Sequence, residues 1–262
     1  MKGLLVLLIC KDMKKIFIAF ANQKGGCGKS TLCALFANYL TERGKLVFLG
    51  DFDTQRTLAS VRELDIKTFQ GYTIPYAIKA YELAPSNLKT KEDNEWYIES
   101  KLDEMAQYAD VIILDTPGNL KEYNLVNIFC NVDYLVTPFS YDRNTWMSML
   151  HYRIAIKVLR DPERKYNAHF KAFFVLNRYD SRVGTADEHK TWERMDKVVG
   201  KEGIPTPPVK YIADVMRYNT LFLTDKQREA VKPCFDAIYK EIFEKKSPNA
   251  VNNEREMNDE RK

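Results

Sequence analysis

The sequence predicts an α/β fold in which a doubly wound, mostly parallel sheet carries helices on both faces. Short apolar runs recur along the chain, and most are continuous, as in strands that are buried on both faces. Segments with helical periodicity lie between them. Strands that alternate with helices form parallel sheets, and right-handed crossovers bring the loops after the strands to one edge. The apolar runs are 16–20, 46–49, 111–114, 132–136 and 173–176.

The first helix and the last helix are the clearest in the pattern. The first is followed by Gly44, a plausible C-terminal cap, and the next strand begins two residues later. Its apolar residues recur at helical spacing and are Leu32, Leu35, Phe36, Tyr39 and Leu40. The last helix has the apolar positions Val231, Phe235, Ile238, Tyr239, Ile242 and Phe243.

The composition is that of a globular protein with a sizeable core. The chain has 262 residues, of which 45% are hydrophobic and 29% are charged, which excludes collagen-like, low-complexity and wholly disordered classes. A net charge of +4 does not by itself demand nucleic acid, although a local patch can still be strongly basic. Five cysteines without a C-x-x-C pattern favour a reduced, cytoplasmic protein over a disulfide scaffold.

We expect a single domain over residues 14–244. Residues 1–13 contain a short apolar run that resembles a signal-peptide core, but it is too short to span a bilayer and no small-residue cleavage site follows. We interpret this segment as an upstream extension, with an anchor or export signal as the alternative. Residues 245–262 are polar and are expected to be a disordered tail. Residues 66–95 form an excursion that either recruits a partner or merely packs.

Residues 22–31, Asn-Gln-Lys-Gly-Gly-Cys-Gly-Lys-Ser-Thr, follow the first strand and open the first helix. This is the context of a phosphate-binding loop, and a glycine-rich turn without a ligand is the alternative. Glycines let the backbone N–H groups point at phosphate oxygens, and the helix N-terminus adds its dipole. Lys29 would contact the β- and γ-phosphates, and the Ser30 hydroxyl would ligate Mg²⁺. The remaining predicted nucleotide-binding residues of the loop are Gly25, Gly26, Cys27, Gly28 and Thr31.

The loop departs from the usual phosphate-loop pattern, because Gln23 stands at the first glycine position and a second lysine, Lys24, precedes the glycines. In this it resembles the ParA/MinD group of ATPases, whose loop reads K-G-G-x-G-K-[ST], and the preceding Asn-Gln is closer to the ParA branch. The resemblance implies ATP and Mg²⁺ as cofactors and a homodimer in which Lys24 reaches the partner's ATP, as an arginine finger does. An exposed loop lysine is the alternative for Lys24.

The stretch Asp51-Phe52-Asp53-Thr54-Gln55 resembles the ParA switch I pattern D-x-D-P-Q, with Thr54 in place of proline. The resemblance implies that Asp53 positions or activates the attacking water and that Asp51 supports the Mg²⁺ shell. An acidic turn that caps the next helix is the alternative for these carboxylates.

Two later motifs complete the predicted site. Asp115 ends an apolar strand in the Walker B pattern and would hold Mg²⁺ through water, and the N–H of Gly118 would sense the γ-phosphate. By resemblance, Asn177 would hydrogen-bond adenine and Pro208 would flank the base. A turn asparagine is the alternative for Asn177.

The resemblance implies a Mg²⁺-dependent ATPase with a low basal rate that hydrolyses ATP to ADP and phosphate. Such a protein dimerises with ATP, binds duplex DNA without sequence preference, and is reset by a stimulating partner protein. Its process would be segregation, maintenance or transfer of a DNA element, such as a mobile element, in the cytoplasm and at the nucleoid. Basic residues are needed for the DNA contact. The candidates are Lys157, Arg160, Arg164, Lys165, Lys210, Arg217, Lys226 and Arg228, and an ordinary solvated charge is the alternative for each of them.

The alternative is a MinD-like positioning ATPase that acts on a protein or membrane cargo. A membrane role is disfavoured because the C-terminal residues have no apolar face. The nitrogenase iron-protein branch needs two suitably placed cysteines, and Cys130 alone is a candidate. Tail-anchor targeting relatives need a C-x-x-C zinc clasp, and the related tyrosine kinases need a C-terminal tyrosine cluster, and the sequence has neither.

Overall fold

A computed structural model describes residues 14–118, 123–166 and 168–245. In these ranges, seven strands form one sheet in the order β3-β2-β4-β1-β5-β6-β7, and every pairing is parallel. The predicted doubly wound α/β fold is therefore confirmed. The strands are β1 (Ile16–Phe20), β2 (Val47–Asp51), β3 (Ala77–Ala80), β4 (Val111–Asp115), β5 (Tyr134–Phe139), β6 (Lys171–Leu176) and β7 (Ile204–Pro205).

The helices alternate with the strands along the chain. Three of them begin with a threonine capping box, in which the threonine hydroxyl and a side chain three residues later exchange bonds with backbone N–H groups. The helices are α1 (Lys29–Glu42), α2 (Thr57–Thr68), α3 (Lys91–Ala106), α4 (Tyr123–Cys130), α5 (Arg143–Arg160), α6 (Ala186–Val199), α7 (Ala213–Met216) and α8 (Asp225–Tyr239), which continues into a π-helical turn (Lys240–Glu244).

The sheet has a separate apolar core on each face. The core of one face is formed with α1, α2, α7 and α8, and the core of the other with α3, α4, α5 and the end of α6. Neighbouring residues of β1 point to opposite cores, so that Ile18 and Phe20 enter the first and Ala19 the second. Both faces of the central strands are buried, which explains their unbroken apolar runs.

The strand register aligns the chemically important strand ends. Asp51, at the end of β2, pairs with Asp115, at the end of β4, and Asp115 also pairs with Phe20 of β1. The loop that follows β1 therefore starts beside the two carboxylates. In open α/β sheets, ligands bind outside the carboxyl ends of strands where the strand order reverses, and this edge is such a place.

The observed helices and strands agree with some of the sequence predictions and add two short strands. The predicted first helix is observed as α1, and its stop at Gly44 is confirmed, since Gly44 has φ +73° and its N–H donates to the carbonyl of Thr41. The excursion at 66–95 contains the edge strand β3, and the segment after 204 begins with the two-residue strand β7, neither of which was predicted. Predictions for residues 1–13 and for the tail from 246 onward lie outside the described residues.

Candidate functional site

The loop after β1 is anchored to the neighbouring strand β5. The N–H of Ala21 donates to the carbonyl of Val136 at 3.0 Å, and Nδ2 of the buried Asn22 donates to the carbonyl of Pro138 at 2.6 Å. Asn22 thus satisfies a carbonyl at the point where β5 extends beyond β1. The base of the predicted phosphate loop is held by backbone and side chain together.

Inside the loop, two side chains converge on one backbone oxygen. The carbonyl of Lys24 accepts from Nζ of Lys29 at 3.2 Å and from Sγ of Cys27 at 3.3 Å. Lys29 is only 6% exposed, and an ammonium has three donors, so it retains capacity for phosphate oxygens. Burial raises the pKa of the Cys27 thiol, despite the charge of Lys29, and this favours Cys27 as a small space-filling residue.

Asn177, at the end of β6, packs beneath this loop. Its Nδ2 donates to the carbonyl of Cys27 at 2.9 Å, and a Cβ added to Gly28 would lie 2.2 Å from the same nitrogen. Gly28 has φ +95°, so a side chain there would be strained as well as obstructed. Here the Asn177 amide supports the phosphate loop, and its contact with adenine stays a prediction.

Pro208 lies beside this support. The next residue, Val209, donates its N–H to the carbonyl of Leu176 at 2.8 Å and accepts from the N–H of Tyr179 at 3.0 Å. The proline-bearing segment therefore runs along the end of β6 around Asn177. The role of Pro208 at a base also stays a prediction.

Ser30 and Asp115 form the centre of the site. The Ser30 hydroxyl donates to Oδ2 of the fully buried Asp115 at 2.6 Å, whereas Oδ1 of Asp115 is buried without a hydrogen-bond partner. Burial raises the pKa of Asp115 to about 7, against the lowering effect of the Ser30 hydrogen bond. A buried carboxylate oxygen without a partner, next to a hydroxyl, is the donor set that Mg²⁺ takes beside phosphate oxygens and water.

The carboxylate of Asp51 accepts hydrogen bonds from backbone N–H groups of the following loop and of α2. Its Oδ1 accepts from the N–H of Asp53 at 3.2 Å, and its Oδ2 accepts from the N–H groups of Leu58 at 3.0 Å and Ala59 at 3.2 Å. Burial raises the pKa of Asp51, and these backbone hydrogen bonds oppose the rise. The geometry is that of the alternative interpretation, a cap on α2, and a contribution to a Mg²⁺ shell stays a prediction.

Asp53 is half-buried, and its Oδ1 accepts from the N–H of Gln55 at 3.0 Å. It therefore sits in a tight turn whose start is fixed by Asp51. Arg56, which precedes α2, has φ +48°, so this turn stores backbone strain.

The loop after β4 touches the phosphate loop directly. A Cβ added to Gly118 would lie 3.0 Å from the nitrogen of Gly25 and 3.2 Å from the carbonyl carbon of Lys24. Only glycine allows this approach. The residue predicted to sense the γ-phosphate is therefore in contact with the loop predicted to bind it.

Lys24 is held within its own chain. Its Nζ lies 3.1 Å from Oδ1 of Asp142 and 3.0 Å from the hydroxyl of Thr145, at the first turn of α5. Burial alone would raise the pKa of Asp142, but hydrogen bonds from Ser140, Thr145 and Lys24 outweigh it and hold the pKa well below its usual range. Sequence reasoning missed Asp142 and Thr145, although Asp-x-x-Thr after a strand is a helix-start signal.

A cavity of about 1020 Å³ opens at the same edge, between the ends of β5 and β6 and the helices α5 and α6. Asn177, Arg178 and Asp142 contribute to its wall, and Tyr141 stacks on Trp192 there with ring centroids 4.6 Å apart. The described residues thus offer space for a ligand next to the phosphate loop.

The predicted DNA contacts divide into two groups. Lys157 lies 3.1 Å from the buried carboxylate of Glu202, and Arg160 donates to the carbonyls of Glu202 and Phe170 at 2.8 Å each. These side chains are engaged in the fold, and two further candidates form surface ion pairs, Arg164 with Asp161 and Arg228 with Glu42. Lys165, Lys210, Arg217 and Lys226 are exposed, and among described residues their side chains have no hydrogen-bond or ion-pair partner.

The described residues contain neither a preformed metal cluster nor a membrane-spanning helix. No group of three or more His, Cys, Asp or Glu side chains is placed to hold a metal ion in 14–118, 123–166 and 168–245. No helix in these ranges has the length and apolar character that a membrane span needs.

Residues 18–222 match a family of known proteins, described as the CobQ/CobB/MinD/ParA nucleotide binding domain. Among curated proteins, the chain is similar to the maintenance of carboxysome distribution protein A of Halothiobacillus neapolitanus, with 26% identity over 64% of this chain and 69% of that protein. It is also similar to the chromosome-partitioning ATPase Soj of Treponema pallidum, with 29% identity over 39% of this chain and 49% of that protein.

Solved structures share the fold. A plasmid partition protein of Borrelia burgdorferi bound to AMPPNP aligns with a TM-score of 0.66 and 19% identity, covering 87% of this chain and all of that chain. Cobyrinic acid a,c-diamide synthase of Mycobacterium smegmatis, with bound ADP and magnesium, aligns with a TM-score of 0.62 and 18% identity, covering 89% of this chain and 98% of that chain.

Proposed function

Since the chain belongs to the CobQ/CobB/MinD/ParA nucleotide-binding family, we propose that it is a Mg²⁺-dependent ATPase of the ParA type that converts ATP to ADP and phosphate. The observation that carries this proposal is the Ser30–Asp115 pair beneath the phosphate loop, with the buried, unpartnered Oδ1 of Asp115. Ser30 and Asp115 would hold the ion, directly or through water, and the ion would neutralise phosphate charge.

The chain's own residues account for the rest of the chemistry. The loop N–H groups and Lys29 bind and orient the phosphates, and the helix dipole of α1 favours their negative charge. Asp53 orients the attacking water, and Asp51 keeps Asp53 in place through the hydrogen bonds at the start of α2. Phosphoryl transfer to water needs mainly positioning and charge neutralisation, so a loop held by hydrogen bonds suffices.

The ATPase proposal is tested with Asp53→Asn, which keeps the size of the side chain and removes its charge. We expect hydrolysis to fall about 100-fold, because water is no longer oriented by a carboxylate, whereas ATP affinity changes little. Phosphate release and ATP binding are measured on the same samples. Asp161→Asn, far from the loop in an exposed turn, is the control. Equal hydrolysis by wild type and Asp53→Asn would remove Asp53 from the mechanism.

We further propose a homodimer with ATP at its interface, in which Lys24 leaves Asp142 and contacts the partner's nucleotide. Support comes from the position of Lys24, whose side chain is 33% exposed and is held by a half-exposed carboxylate and by the hydroxyl of Thr145. Such a pair is weak enough to exchange. Sedimentation with a non-hydrolysable ATP analogue tests this, since Lys24→Ala should remain monomeric. An unchanged dimer would contradict the role.

We propose that the ATP-bound dimer binds duplex DNA without sequence preference, through exposed basic side chains such as Lys210, Arg217 and Lys226. Fluorescence anisotropy at fixed low salt, with ATP or ADP, tests it. Replacing all three with alanine should reduce affinity roughly tenfold or more and flatten the salt dependence. The control replaces three exposed lysines elsewhere, Lys67, Lys89 and Lys201. Equal binding with both nucleotides would remove DNA as the output of the ATP switch.

A positioning function for a protein cargo is the second candidate. The similarity to a carboxysome distribution protein favours it, since that protein is named for the distribution of carboxysomes rather than for the partitioning of DNA. Association with the nucleoid, a stimulating partner protein and an origin on a mobile element are proposed only together with DNA binding. In the anisotropy experiment, DNA binding that depends on ATP favours the DNA function. DNA binding that is independent of ATP favours the protein cargo.

A further inference from the structure

Arg178, which directly follows Asn177 at the end of β6, has a backbone conformation that arginine rarely adopts. Its φ is +59°, in the left-handed region that favours glycine. An arginine there carries a free-energy cost that glycine would avoid. Residues in such conformations cluster at ligand-binding sites, where the surrounding structure holds them in place. The side chain of Arg178 is therefore a candidate for a role in binding.

Hydrogen bonds on both sides hold the chain in this conformation. Before the turn, the N–H of Asn177 donates to the carbonyl of Phe139 at 2.7 Å, and Oδ1 of Asn177 accepts from the N–H of Arg178 at 3.0 Å. After the turn, the N–H of Tyr179 donates to the carbonyl of Val209 at 3.0 Å. Because β5 and the segment after β7 fix the turn from both sides, they also fix the direction in which the Arg178 side chain leaves the backbone.

The guanidinium of Arg178 is unpaired among the described residues. It is exposed, and no described side chain or carbonyl accepts a hydrogen bond from it. The four acidic residues in the wall of the adjoining cavity each have another partner. They are Asp142 with Lys24, Asp180 with Arg182, Asp187 with Lys190, and Glu188, which caps α6. The positive charge of Arg178 is therefore available to a ligand.

This charge lies beside the phosphate loop. The Asn177 amide that accepts from the N–H of Arg178 also donates to the carbonyl of Cys27 at 2.9 Å, so the turn and the loop share one side chain. Burial raises the pKa of the Cys27 thiol, and the positive charges of Lys29 and Arg178 oppose the rise. The charge of Arg178 thus acts on the middle of the loop that is proposed to bind phosphates.

The position and the charge together specify the group that Arg178 would bind. A guanidinium is always charged, and its planar N–H donors match the oxygens of a phosphate. The loop N–H groups and Lys29 face the same ligand, and a nucleotide carries more negative charge than one lysine neutralises. A diphosphate or triphosphate chain in the loop is therefore complementary to a second cation at this place.

We propose that Arg178 contacts the phosphates of the nucleotide bound in its own chain, and that the strained turn after β6 directs its side chain to this contact. The inference rests on the proposed ATPase function and adds a second cation of the same chain to Lys29. Lys24, in contrast, is proposed to reach the nucleotide of the partner.

The contact is tested by calorimetric titration with Mg²⁺ and ADP, because the proposed dimer needs ATP and ADP reports on the site of one chain. Arg178→Gln keeps a strained side chain without its charge and should bind ADP about tenfold more weakly. Arg178→Lys keeps the charge and should recover part of the affinity. The matched control, Arg194→Gln, removes an exposed arginine of α6 and should bind as the wild type does.

Two results of this titration would be negative in different ways. Equal ADP affinity of the wild type and Arg178→Gln would overturn the role of Arg178 and leave the ATPase proposal standing. A wild type that binds neither ADP nor ATP would refute the ATPase proposal, and the role of Arg178 with it.

A second pair of variants separates a role in binding from a role in the fold. Arg178→Gly relieves the strain at φ +59° and Arg178→Ala retains it, so the glycine variant should unfold at a higher temperature without nucleotide. Both variants lack the guanidinium and should bind ADP equally weakly. An ADP affinity that recovers with stability in Arg178→Gly would mean that the turn, and not the guanidinium, supports binding, and would overturn the contact.

Pyrophosphate, which lacks the base and the sugar, identifies the group that Arg178 contacts. With Mg²⁺, pyrophosphate should also bind about tenfold more weakly to Arg178→Gln than to the wild type. A loss of affinity for ADP without a loss for pyrophosphate would assign Arg178 to the base or the ribose and overturn the phosphate contact.

Discussion

At the scale of single residues, the phosphate loop is shaped by side chains that point inward at its own backbone. The carbonyl of Lys24 is held by Lys29 and Cys27, and the carbonyl of Cys27 is held by Asn177. With the carbonyls occupied on the inner side, the N–H groups are left to face a ligand. The loop is therefore organised for anions before any anion binds, which lowers the ordering cost of binding.

Asn177→Asp tests this support, since it exchanges a donor for an acceptor against the carbonyl of Cys27. Two facing oxygens repel, and we expect a loss of about 1–3 kcal/mol in unfolding free energy and a clear loss of ATP affinity. Chemical denaturation and calorimetric titration measure the two quantities. Asn131→Asp is the control, because Asn131 also donates to a backbone carbonyl but lies at the end of α4, and its ATP affinity should be unchanged.

Gly28→Ala tests the same contact from the loop side. Alanine at φ +95° is strained, and its Cβ would collide with Asn177, so nucleotide binding should be lost with about 2 kcal/mol of stability. Gly44→Ala has comparable strain at φ +73° but open space, and should retain nucleotide binding. Gly28→Ala/Asn177→Ala removes the collision and should recover part of the stability. Identical defects in the single and double variants would refute the steric explanation.

At the scale of elements, side-chain hydrogen bonds fix α2 at its N-terminus and along its buried side. Asp51 caps its N-terminus, and Arg62, which is 7% exposed, donates to the hydroxyl and carbonyl of Thr220 at 2.8 Å each and to the carbonyl of Tyr76 at 2.7 Å. Asp65 accepts from the N–H and hydroxyl of Thr220 at 2.7 Å each. The loop of Asp53 is thus linked through α2 to the segment that leads into α8.

Arg62→Leu removes this link and leaves the buried polar groups around it unpaired. We expect the unfolding free energy to fall by about 3 kcal/mol, because hydrogen bonds to a buried charged group are lost and their acceptors are desolvated. Guanidinium unfolding measures the loss. Lys67→Leu, on an exposed position of the same helix, should stay within about 0.5 kcal/mol. A similar loss in both variants would contradict a specific role of the buried network.

At the scale of the whole molecule, Lys24 has two alternative sets of contacts that exclude each other. In the described chain Lys24 contacts Asp142 and Thr145, and in the proposed dimer it contacts the nucleotide of the partner. It cannot do both at once. The cost of leaving Asp142 therefore opposes dimerisation, and because the pair is half-exposed, that cost is about 1 kcal/mol or less.

Asp142→Asn isolates this competition, since asparagine still caps α5 but loses the charge. Each dimer breaks two such pairs, so we expect dimerisation with AMPPNP at up to about thirtyfold lower protein concentration, which corresponds to two exposed ion pairs of about 1 kcal/mol each. Sedimentation velocity over a dilution series measures it, and Asp225→Asn is the control for an exposed acid that is paired elsewhere. Dimerisation at a higher concentration than wild type would mean that Asp142 contributes to the interface itself.

Sequence reasoning placed the central strands, the first helix and the loop residues, because these depend on unbroken apolar runs and local motif order. It missed β3 and β7, since edge strands of four and two residues have too short a pattern and include half-exposed positions. The pairing of Lys24 with Asp142 and the support of Cys27 by Asn177 are contacts between distant parts of the chain. Basic side chains such as Lys157 and Arg160 looked like surface charges because their buried partner, Glu202, is distant in sequence.

The position of β1 in the middle of the sheet has a consequence for the order of folding during synthesis. β1 is flanked by β4 and β5, so its neighbours are made about a hundred residues after it. The support of the phosphate loop by Asn177 comes later still, 150 positions after Cys27. Contacts of such long sequence separation form slowly. The nascent chain therefore exposes an unpaired apolar strand while about a hundred residues are synthesised, and the capacity to hold a nucleotide arises only after the sixth strand has emerged.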